Sequence, residues 1–324
     1  MSVSFHLEFN PSSFSKKISI EDKIFLLGSC FTSHLHEKLA LHKFNVMQNP
    51  HGILFNPISI FKTLKRYIEC DLVDESELFH HRGIWNHWDF HSSCSDANKQ
   101  HTLKNINENI QSGHTFLKNT DWLFITLGSA LVYEFPETGI VANCHKYPTD
   151  QFRKFLLEPS QIEDSFNEMM NALKNFNNAI QIVFTVSPVR HLRDGFVENN
   201  RSKAVLFYTI DQIMRKSSFI EYFPAYELII DDLRDYRFYA EDMVHPNYLA
   251  TQYVWEKFVD ACIEGKSQEV MKEIFQLQQA IKHRPLHPDS SEHLKFIEKN
   301  KELAVRLSNR LPLLDFTKEL SFFA

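Results

Sequence analysis

The sequence predicts an α/β fold, an α/β/α sandwich around a mainly parallel five-stranded sheet with hairpin insertions and a C-terminal helical extension. Short apolar runs alternate with helix-periodic stretches, which is typical of parallel strands covered on both faces. The chain has only eight glycines but 29 phenylalanines, which indicates regular elements with bulky packing. Its 324 residues suit one large domain or a core with an appendage, and 43% hydrophobic content excludes a wholly disordered chain.

The charge and the cysteines narrow the class of protein. A net charge of −6 argues against a nucleic-acid partner, because phosphate neutralisation needs clustered Lys and Arg. No apolar run approaches the roughly 20 residues that cross a bilayer, so no membrane span is expected. The polar stretch 1–15 lacks a signal-peptide pattern. Five cysteines without paired spacing indicate reduced thiols, and we expect a cytoplasmic location.

The first half of the chain begins with an apolar run that stops at Gly28, which predicts a buried strand. Leu35 and Leu39 share one helix face after it. Asn56-Pro57 is a helix start with proline at the first position. The predicted order is strand 23–27, helix 31–42, weak strand 44–47, helix 58–68, an aromatic hairpin over 78–91, helix 103–117 and strand 122–127.

The second half continues the alternation. The turn Pro136 to Gly139 predicts a second hairpin from 130–135 and 140–143. The remaining predicted elements are helix 162–176, strand 180–186, helix 202–214, strand 225–230 and helix 248–263. Residues after 266 are helical and charge-rich without further strands. We therefore expect a catalytic-type domain over 20–265 and a helical extension over 266–324.

Ligands of open α/β sheets bind beyond the carboxyl ends of the strands, so polar residues there are the candidates. Ser29 follows the first strand and opens its helix, where a hydroxyl nucleophile and backbone N–H groups come together. The alternative is a helix N-cap serine without a catalytic role.

Asp242 and His245 precede the last core helix of the domain. An Asp three residues before a His can accept its Nδ1–H and fix its tautomer, although a solvated acidic loop would give the same pattern. Gly52 after the second strand, and Gly128 with Ser129 after the third, place glycine where N–H groups could face a substrate oxygen. Each of these loops could equally be a plain turn.

Taken in order, these motifs resemble the SGNH, or GDSL-like, hydrolase superfamily and, more closely, the GSCFA family. The resemblance spans about 20–265 and is carried by Gly28-Ser29-Cys30-Phe31, Gly52, Phe55-Asn56-Pro57, Thr126-Leu127-Gly128-Ser129, Asn143-Cys144-His145-Lys146, Ser187-Pro188-Val189-Arg190, Tyr222-Phe223-Pro224, Tyr226-Glu227 and Asp242 to Pro246.

The resemblance implies a flavodoxin-like fold and a serine ester hydrolase. It makes Ser29 the nucleophile, His245 the general base and Asp242 the residue that orients it. The amides of Ser29 and Gly52 would be oxyanion donors.

One position departs from the superfamily pattern. An Asn normally stands two residues after the third-strand glycine as an oxyanion donor, and here that residue is Ala130. Losing one such donor typically costs about 2.7–4 kcal/mol of transition-state stabilisation. Asn143 is the candidate substitute, and His145 is the second choice.

Two other chemistries compete. Cys30 lies at a helix N-terminus, where thiol pKa values fall, and could be the nucleophile instead. The pairs His87/His91 and His34/His36 are candidate zinc ligands. Strand spacing would separate the side chains of the first pair by roughly 13 Å, and the side chains of the second pair would point in different directions around a helix. We therefore expect no metal and no cofactor, and His91 is a substrate-loop or hairpin-packing residue.

The loop after the fourth strand is rich in cations and amides, which is either a solvated loop or a cationic rim that selects an anionic or sugar-bearing substrate. Its members are Arg190, His191, Asn199, Arg201 and Lys203.

The expected function is hydrolysis or transfer of an O-acyl ester of a carbohydrate or small metabolite. The competing class is a ligand-binding or scaffold protein that keeps the fold without turnover, which Ala130 keeps open.

Overall fold

The computed structural model describes residues 7–323. The first six residues, which form part of the polar stretch predicted to lack a signal, and Ala324 at the end of the predicted extension lie outside the described residues.

Ten strands are described among these residues. They are β1 (Lys23–Gly28), β2 (Asn45–Gln48), β3 (Phe79–His81), β4 (Ile84–Asn86), β5 (Trp122–Leu127), β6 (Leu131–Phe135), β7 (Gly139–Val141), β8 (Arg153–Leu156), β9 (Gln181–Val186) and β10 (Ile220–Tyr222).

The helices alternate with the strands. They are α1 (Phe31–Leu41), α2 (Pro57–Glu69), α3 (Lys99–Leu117), α4 (Pro159–Phe176), α5 (Phe196–Arg215), α6 (Ala225–Glu227), α7 (Tyr248–Cys262), α8 (Gly265–Lys282), α9 (Ser291–Arg310) and α10 (Thr317–Phe322). Helix α3 begins four residues earlier than predicted, because its first turn is polar. Helix α5 begins six residues earlier, with Phe196 and Val197 exposed in a first turn that shows no apolar periodicity.

The central sheet has five parallel strands in the order β10-β9-β5-β1-β2. In chain order this is the flavodoxin-like arrangement, in which the connection direction reverses beside β1. The predicted fold class, a three-layer α/β/α sandwich with a parallel five-stranded sheet, is confirmed.

Both faces of the sheet are buried, as the continuous apolar runs predicted. Because side chains alternate along a strand, Ile24 and Leu26 face one side while Phe25 and Leu27 face the other. The first side packs against α1, α7, α8 and α9, and the second against α2, α4 and α5.

Insertions decorate the carboxyl edge of the sheet. The predicted hairpin over 78–91 contains β3 and β4, which pair antiparallel. The second predicted hairpin forms β6 and β7, and the unpredicted β8 joins them in a three-stranded antiparallel sheet. Trp88 connects the two insertions, because its ring stacks on Phe79 at 3.8 Å and on Phe135 at 4.8 Å.

The prediction of a strand over 225–230 is wrong. The fifth strand is β10, a three-residue edge strand, and 225–233 is helical, with α6 running into a π-helix at Leu228–Leu233. The run Leu228-Ile229-Ile230 is apolar because it packs on the sheet as a helix. Asp242 therefore does not directly follow a strand.

The extension after 266 packs against the sheet domain. Its buried residues Ile274, Leu277 and Leu307 belong to the same apolar cluster as Ile24 of β1. The Ser267 hydroxyl accepts a hydrogen bond from the Ile20 amide at 2.8 Å. The domain bounds 20–265 and 266–324 stay a prediction.

All five cysteines are free thiols. Within 7–323, no helix is both long and apolar enough to span a membrane.

Candidate functional site

Ser29 lies where β1 turns into α1. Gly28 has φ +128°, and a Cβ there would meet the Thr126 carbonyl oxygen at 2.1 Å, so only glycine allows β1 to pass β5 this closely. The Ser29 side chain is fully buried. Its Oγ accepts a long contact of 3.4 Å from the Phe31 amide. The N-cap position itself belongs to Cys30.

Asp242 and His245 form the pair that their spacing predicts. The His245 Nδ1 lies 2.6 Å from Asp242 Oδ2, and Asp242 Oδ1 accepts the amides of Val244 and His245 at 2.9 and 3.0 Å. These hydrogen bonds, led by the His245 amide, lower the pKa of Asp242 to about 2. The carboxylate is therefore charged at neutral pH and holds the imidazole by Nδ1, while both side chains stay half exposed.

Ser29 and His245 form no hydrogen bond with each other in the described chain, and Ser29 is enclosed whereas His245 is half exposed. Both nevertheless belong to the carboxyl edge of the sheet. Ser29 directly follows β1, and the loop that carries His245 packs on the loop after β9, because Arg190 lies over the ring of Tyr239 at 4.7 Å and Tyr239 pairs with Pro246.

The predicted oxyanion amides are already engaged. The Ser29 amide donates to Thr126 O at 3.1 Å, and the Gly52 amide donates to Asn49 O at 2.7 Å. The amides of Gly128 and Ser129 both donate to one carbonyl, that of Phe55, at 2.8 and 3.0 Å. Contrary to the prediction, these four N–H groups are not available to a substrate oxygen in this conformation.

Close packing explains instead why Gly52 and Gly128 are glycines. A Cβ on Gly52, whose φ is +81°, would lie 2.2 Å from the His91 Cβ. A Cβ on Gly128 would lie 3.0 Å from the Phe55 ring and 3.2 Å from His191 Nε2. These loops therefore let neighbouring side chains approach the backbone closely.

Lys203 is a buried cation that sequence reasoning placed wrongly in a solvated loop or rim. It is 2% exposed, and its Nζ donates to the carbonyls of Gly128 at 2.6 Å and Ser187 at 2.7 Å. It thereby joins the ends of β5 and β9. Burial lowers the pKa of Lys203 to about 7. Helical spacing could have indicated this position, since Lys203 shares the inward stripe of α5 with Asn199 and Leu206.

The rest of the predicted cationic loop divides between core and surface. His191 packs edge-on against Phe55, and its buried Nε2 has no hydrogen-bond partner among residues 7–323. Burial, with help from the charge of Lys203, lowers the pKa of His191 to about 4, so its ring is neutral at pH 7. Arg190 lies over the ring of Tyr239 at 4.7 Å. Arg201 is exposed and pairs with Glu198.

A cleft of about 750 Å³ opens between the insertions and the loops after β5 and β9. Four of the predicted substrate residues line this cleft, namely Ser129, Asn143, His145 and His91, and His91 also packs on Gly52. Burial lowers the pKa of His145 to about 4, and its Nε2 lies 2.9 Å from the carbonyl of His87. Ser29 and His245 do not line this cleft.

The proposed substitutes for the oxyanion donor, Asn143 and His145, are hydrogen-bonded to residues of the first insertion. Asn143 donates to the Ser92 hydroxyl at 3.4 Å and accepts the His145 amide at 2.8 Å. Ala130 is buried, and its amide donates to Ser202 Oγ at 2.7 Å.

The competing chemistries find no support in the geometry. Burial raises the pKa of the Cys30 thiol, and the nearby amides of Cys30 and Phe31 and the charge of Lys203 only partly oppose this. Among 7–323, no group of three or more His, Cys, Asp or Glu residues could hold a metal ion. His87 instead contacts Glu77 at 3.4 Å.

Comparison with known proteins gives the family. The model of the GSCFA family matches residues 23–258, and a second model, that of the GSCFA domain protein C-terminal domain, matches residues 274–324. No curated protein matches the chain. The first match covers well over half of the sequence, and the chain belongs to the GSCFA family.

Proposed function

We propose that this protein is a serine ester hydrolase or acyltransferase of the SGNH type, in which Ser29, His245 and Asp242 act together. The observation that carries the proposal is the Asp242–His245 pair, held at 2.6 Å at the sheet edge to which Ser29 also belongs. A carboxylate that orients a histidine by Nδ1 leaves Nε2 for proton transfer. The order of the motifs along the chain supports the same assignment.

In the proposed reaction Ser29 Oγ attacks the acyl carbon of an ester, and its proton passes to His245 Nε2. The tetrahedral intermediate collapses, the leaving alcohol takes the proton from His245, and an acyl ester remains on Ser29. Water, or an acceptor alcohol, then attacks that ester while His245 removes its proton. The proton returns to Ser29 Oγ as the product leaves.

The oxyanion needs a donor that is not already bonded. The Cys30 amide at the start of α1 makes no hydrogen bond to another residue in the described chain, faces only its own thiol, and is adjacent to Ser29. Helix N-termini also favour negative charge. We assign this amide as the first oxyanion donor, with Asn143 as a second if Ser92 releases it.

The test is covalent labelling by a fluorophosphonate probe, combined with hydrolysis of p-nitrophenyl acetate and larger acyl esters. We expect an adduct on Ser29, and Ser29→Ala and His245→Ala to lower kcat by at least 10³-fold. Asp242→Asn should lower kcat by 10²–10⁴-fold. Cys30→Ala controls for the neighbouring thiol, and His101→Ala controls for loss of an exposed histidine.

The second candidate function is a ligand-binding or scaffold protein without turnover. It is favoured by the burial of Ser29 and by the engaged amides of Ser29, Gly52 and Gly128. Equal rates in wild type and all the variants, together with no adduct on Ser29, would favour this function over hydrolysis.

A further inference from the structure

We propose that the cleft beside Ser129 and His191 binds the negatively charged group of the substrate, a carboxylate or phosphate on a sugar-sized molecule. This inference rests on the proposed function in one respect, that the bound molecule is a substrate. The binding itself does not require turnover. The cleft has about 750 Å³, which is within the range of small-molecule sites.

The cleft is lined by cations that have no counter-charge. Arg82 comes from the tip of the β3–β4 hairpin, Lys146 from the loop after β7, and Arg193 from the loop after β9. Across residues 7–323 the side chains of these three cations make no ion pair, hydrogen bond or ring contact. Two insertions and the loop after β9 thus present unpaired positive charge at one concave surface.

The other titratable groups of the lining do not neutralise these charges. Asp194 is the one carboxylate among the lining residues, and it is already paired with Lys154. Burial lowers the pKa values of His91, His145 and His191, so their rings are neutral near pH 7. The whole chain carries a net charge of −6, so a positive cleft opposes the overall charge.

The backbone around the cleft is held in an unusual conformation. Arg82, His145 and Lys146 all have positive φ values, 51°, 47° and 56°. Residues other than glycine adopt this conformation uncommonly, and such residues concentrate at ligand sites. Two of the three cations are therefore presented from strained positions.

The lining also suits a polar, ring-shaped ligand. Tyr133 and Tyr147 supply aromatic surface, and Asn143 supplies an amide group. Ser129 and His191 connect the cleft to the loops after β5 and β9, which lie at the same carboxyl edge of the sheet as Ser29. A substrate held here by its anionic group would extend toward the sheet edge.

The first experiment compares two chromogenic acetate esters that differ only in charge, acetoxynitrobenzoate and its uncharged methyl ester. We expect wild type to have the lower KM for the anion. In the combined variant Arg82→Gln, Lys146→Gln and Arg193→Gln, the ratio of the anionic to the neutral KM should rise about tenfold, since three modest charge contacts add to roughly that factor.

The matched control removes three exposed cations outside the cleft, Lys282→Gln, Arg284→Gln and Lys295→Gln. It changes the net charge equally, so it should leave the KM ratio unchanged. Equal KM ratios in the cleft variant and the control would overturn the inference even if Ser29-dependent hydrolysis is seen.

The second experiment does not depend on turnover. Calorimetric titration with glucuronate, glucose phosphate and glucose should show binding of at least one anionic sugar and none of glucose, and the preferred anion distinguishes carboxylate from phosphate. The Kd for the anionic sugar should be about tenfold higher in the cleft variant than in the control. If neither anion binds, or if both variants bind alike, the inference is wrong; if charge-selective binding persists without any hydrolysis, only the proposed function fails.

Discussion

At the residue scale, contacts between residues that are close in sequence could be predicted, whereas contacts between residues that are distant in sequence could not. The Asp242–His245 pair follows from a three-residue spacing that a short loop can satisfy by itself. The engagement of the Gly52 and Gly128 amides depends on carbonyls whose positions are set by the tertiary fold. A glycine in the sequence marks freedom of the backbone, but it does not tell which atom occupies the space that its missing Cβ leaves.

Gly52→Ala tests this packing reason. The change forces a left-handed alanine, costing about 1–2 kcal/mol, and places a Cβ 2.2 Å from that of His91. Gly139→Ala is the control, because Gly139 has the same φ of 81° but nothing within 4 Å. We expect urea unfolding to show Gly52→Ala less stable than Gly139→Ala by at least a further 1 kcal/mol. Equal losses of unfolding free energy in the two variants would show that His91 can move away from the new Cβ without cost.

Lys203 predicts a pH dependence of stability. Its pKa is about 7 in the fold and near 10.5 when exposed, so the unfolded chain binds more protons between these values and stability rises with pH. From pH 7 to 8.5 wild type should gain about 1–2 kcal/mol relative to Lys203→Met, measured by urea unfolding. Lys295→Met, at an exposed position of α9, controls for loss of a lysine. If the carbonyls of Gly128 and Ser187 hold the ammonium charged, this difference will be flat with pH.

At the element scale, continuous apolar runs predicted β1, β5 and β9, which are buried on both faces, and a weaker run predicted β2, which is only partly buried at the sheet edge. The edge strand β10 escaped prediction since its three residues, Ile-Glu-Tyr, carry no continuous apolar pattern. Local chemistry did predict the start of α2: Asn56 caps this helix by accepting the Ser59 amide at 2.8 Å, and Pro57 is its first residue. The apolar run Leu228 to Ile230 was wrongly predicted as part of a strand, because length and hydrophobicity do not distinguish a buried strand from a buried helical turn.

The cap of α2 gives a test at this scale. Asn56→Ala removes the acceptor for the Ser59 amide and should destabilise the fold by about 0.5–2 kcal/mol. Asn105→Ala, at an exposed position in the middle of α3, should change stability by less than about 0.5 kcal/mol. Thermal melts followed by far-UV circular dichroism would measure both. A loss at Asn105 as large as that at Asn56 would contradict the capping role.

At the scale of the whole molecule, the helical extension shares an apolar cluster with the sheet. Charge-rich composition predicted its helices, but it did not predict where their buried stripes would pack, because the part of the partner surface on β1 and α1 is distant in sequence. His42 of this surface stacks on Trp255 at 5.4 Å and on Phe275 of α8 at 6.1 Å. The extension and the sheet should therefore unfold together.

Leu277→Ala tests this coupling. Leu277 of α8 is fully buried, so its truncation should cost about 2–5 kcal/mol and shift a single transition seen by both circular dichroism and tryptophan fluorescence. Leu313→Ala is the control, since Leu313 is 76% exposed and should have little effect. Two separate transitions would indicate that the extension folds independently.

The enclosure of Ser29 has a kinetic consequence. A hydroxyl with no accessible surface can react only in the brief intervals when the surrounding segments part. At low concentration of a phosphonylating reagent the inactivation rate should climb in proportion to dose, and at high concentration it should level off at the frequency of parting itself. The plateau would measure how often this molecule uncovers its hydroxyl, and it would stay the same for reagents of different intrinsic reactivity.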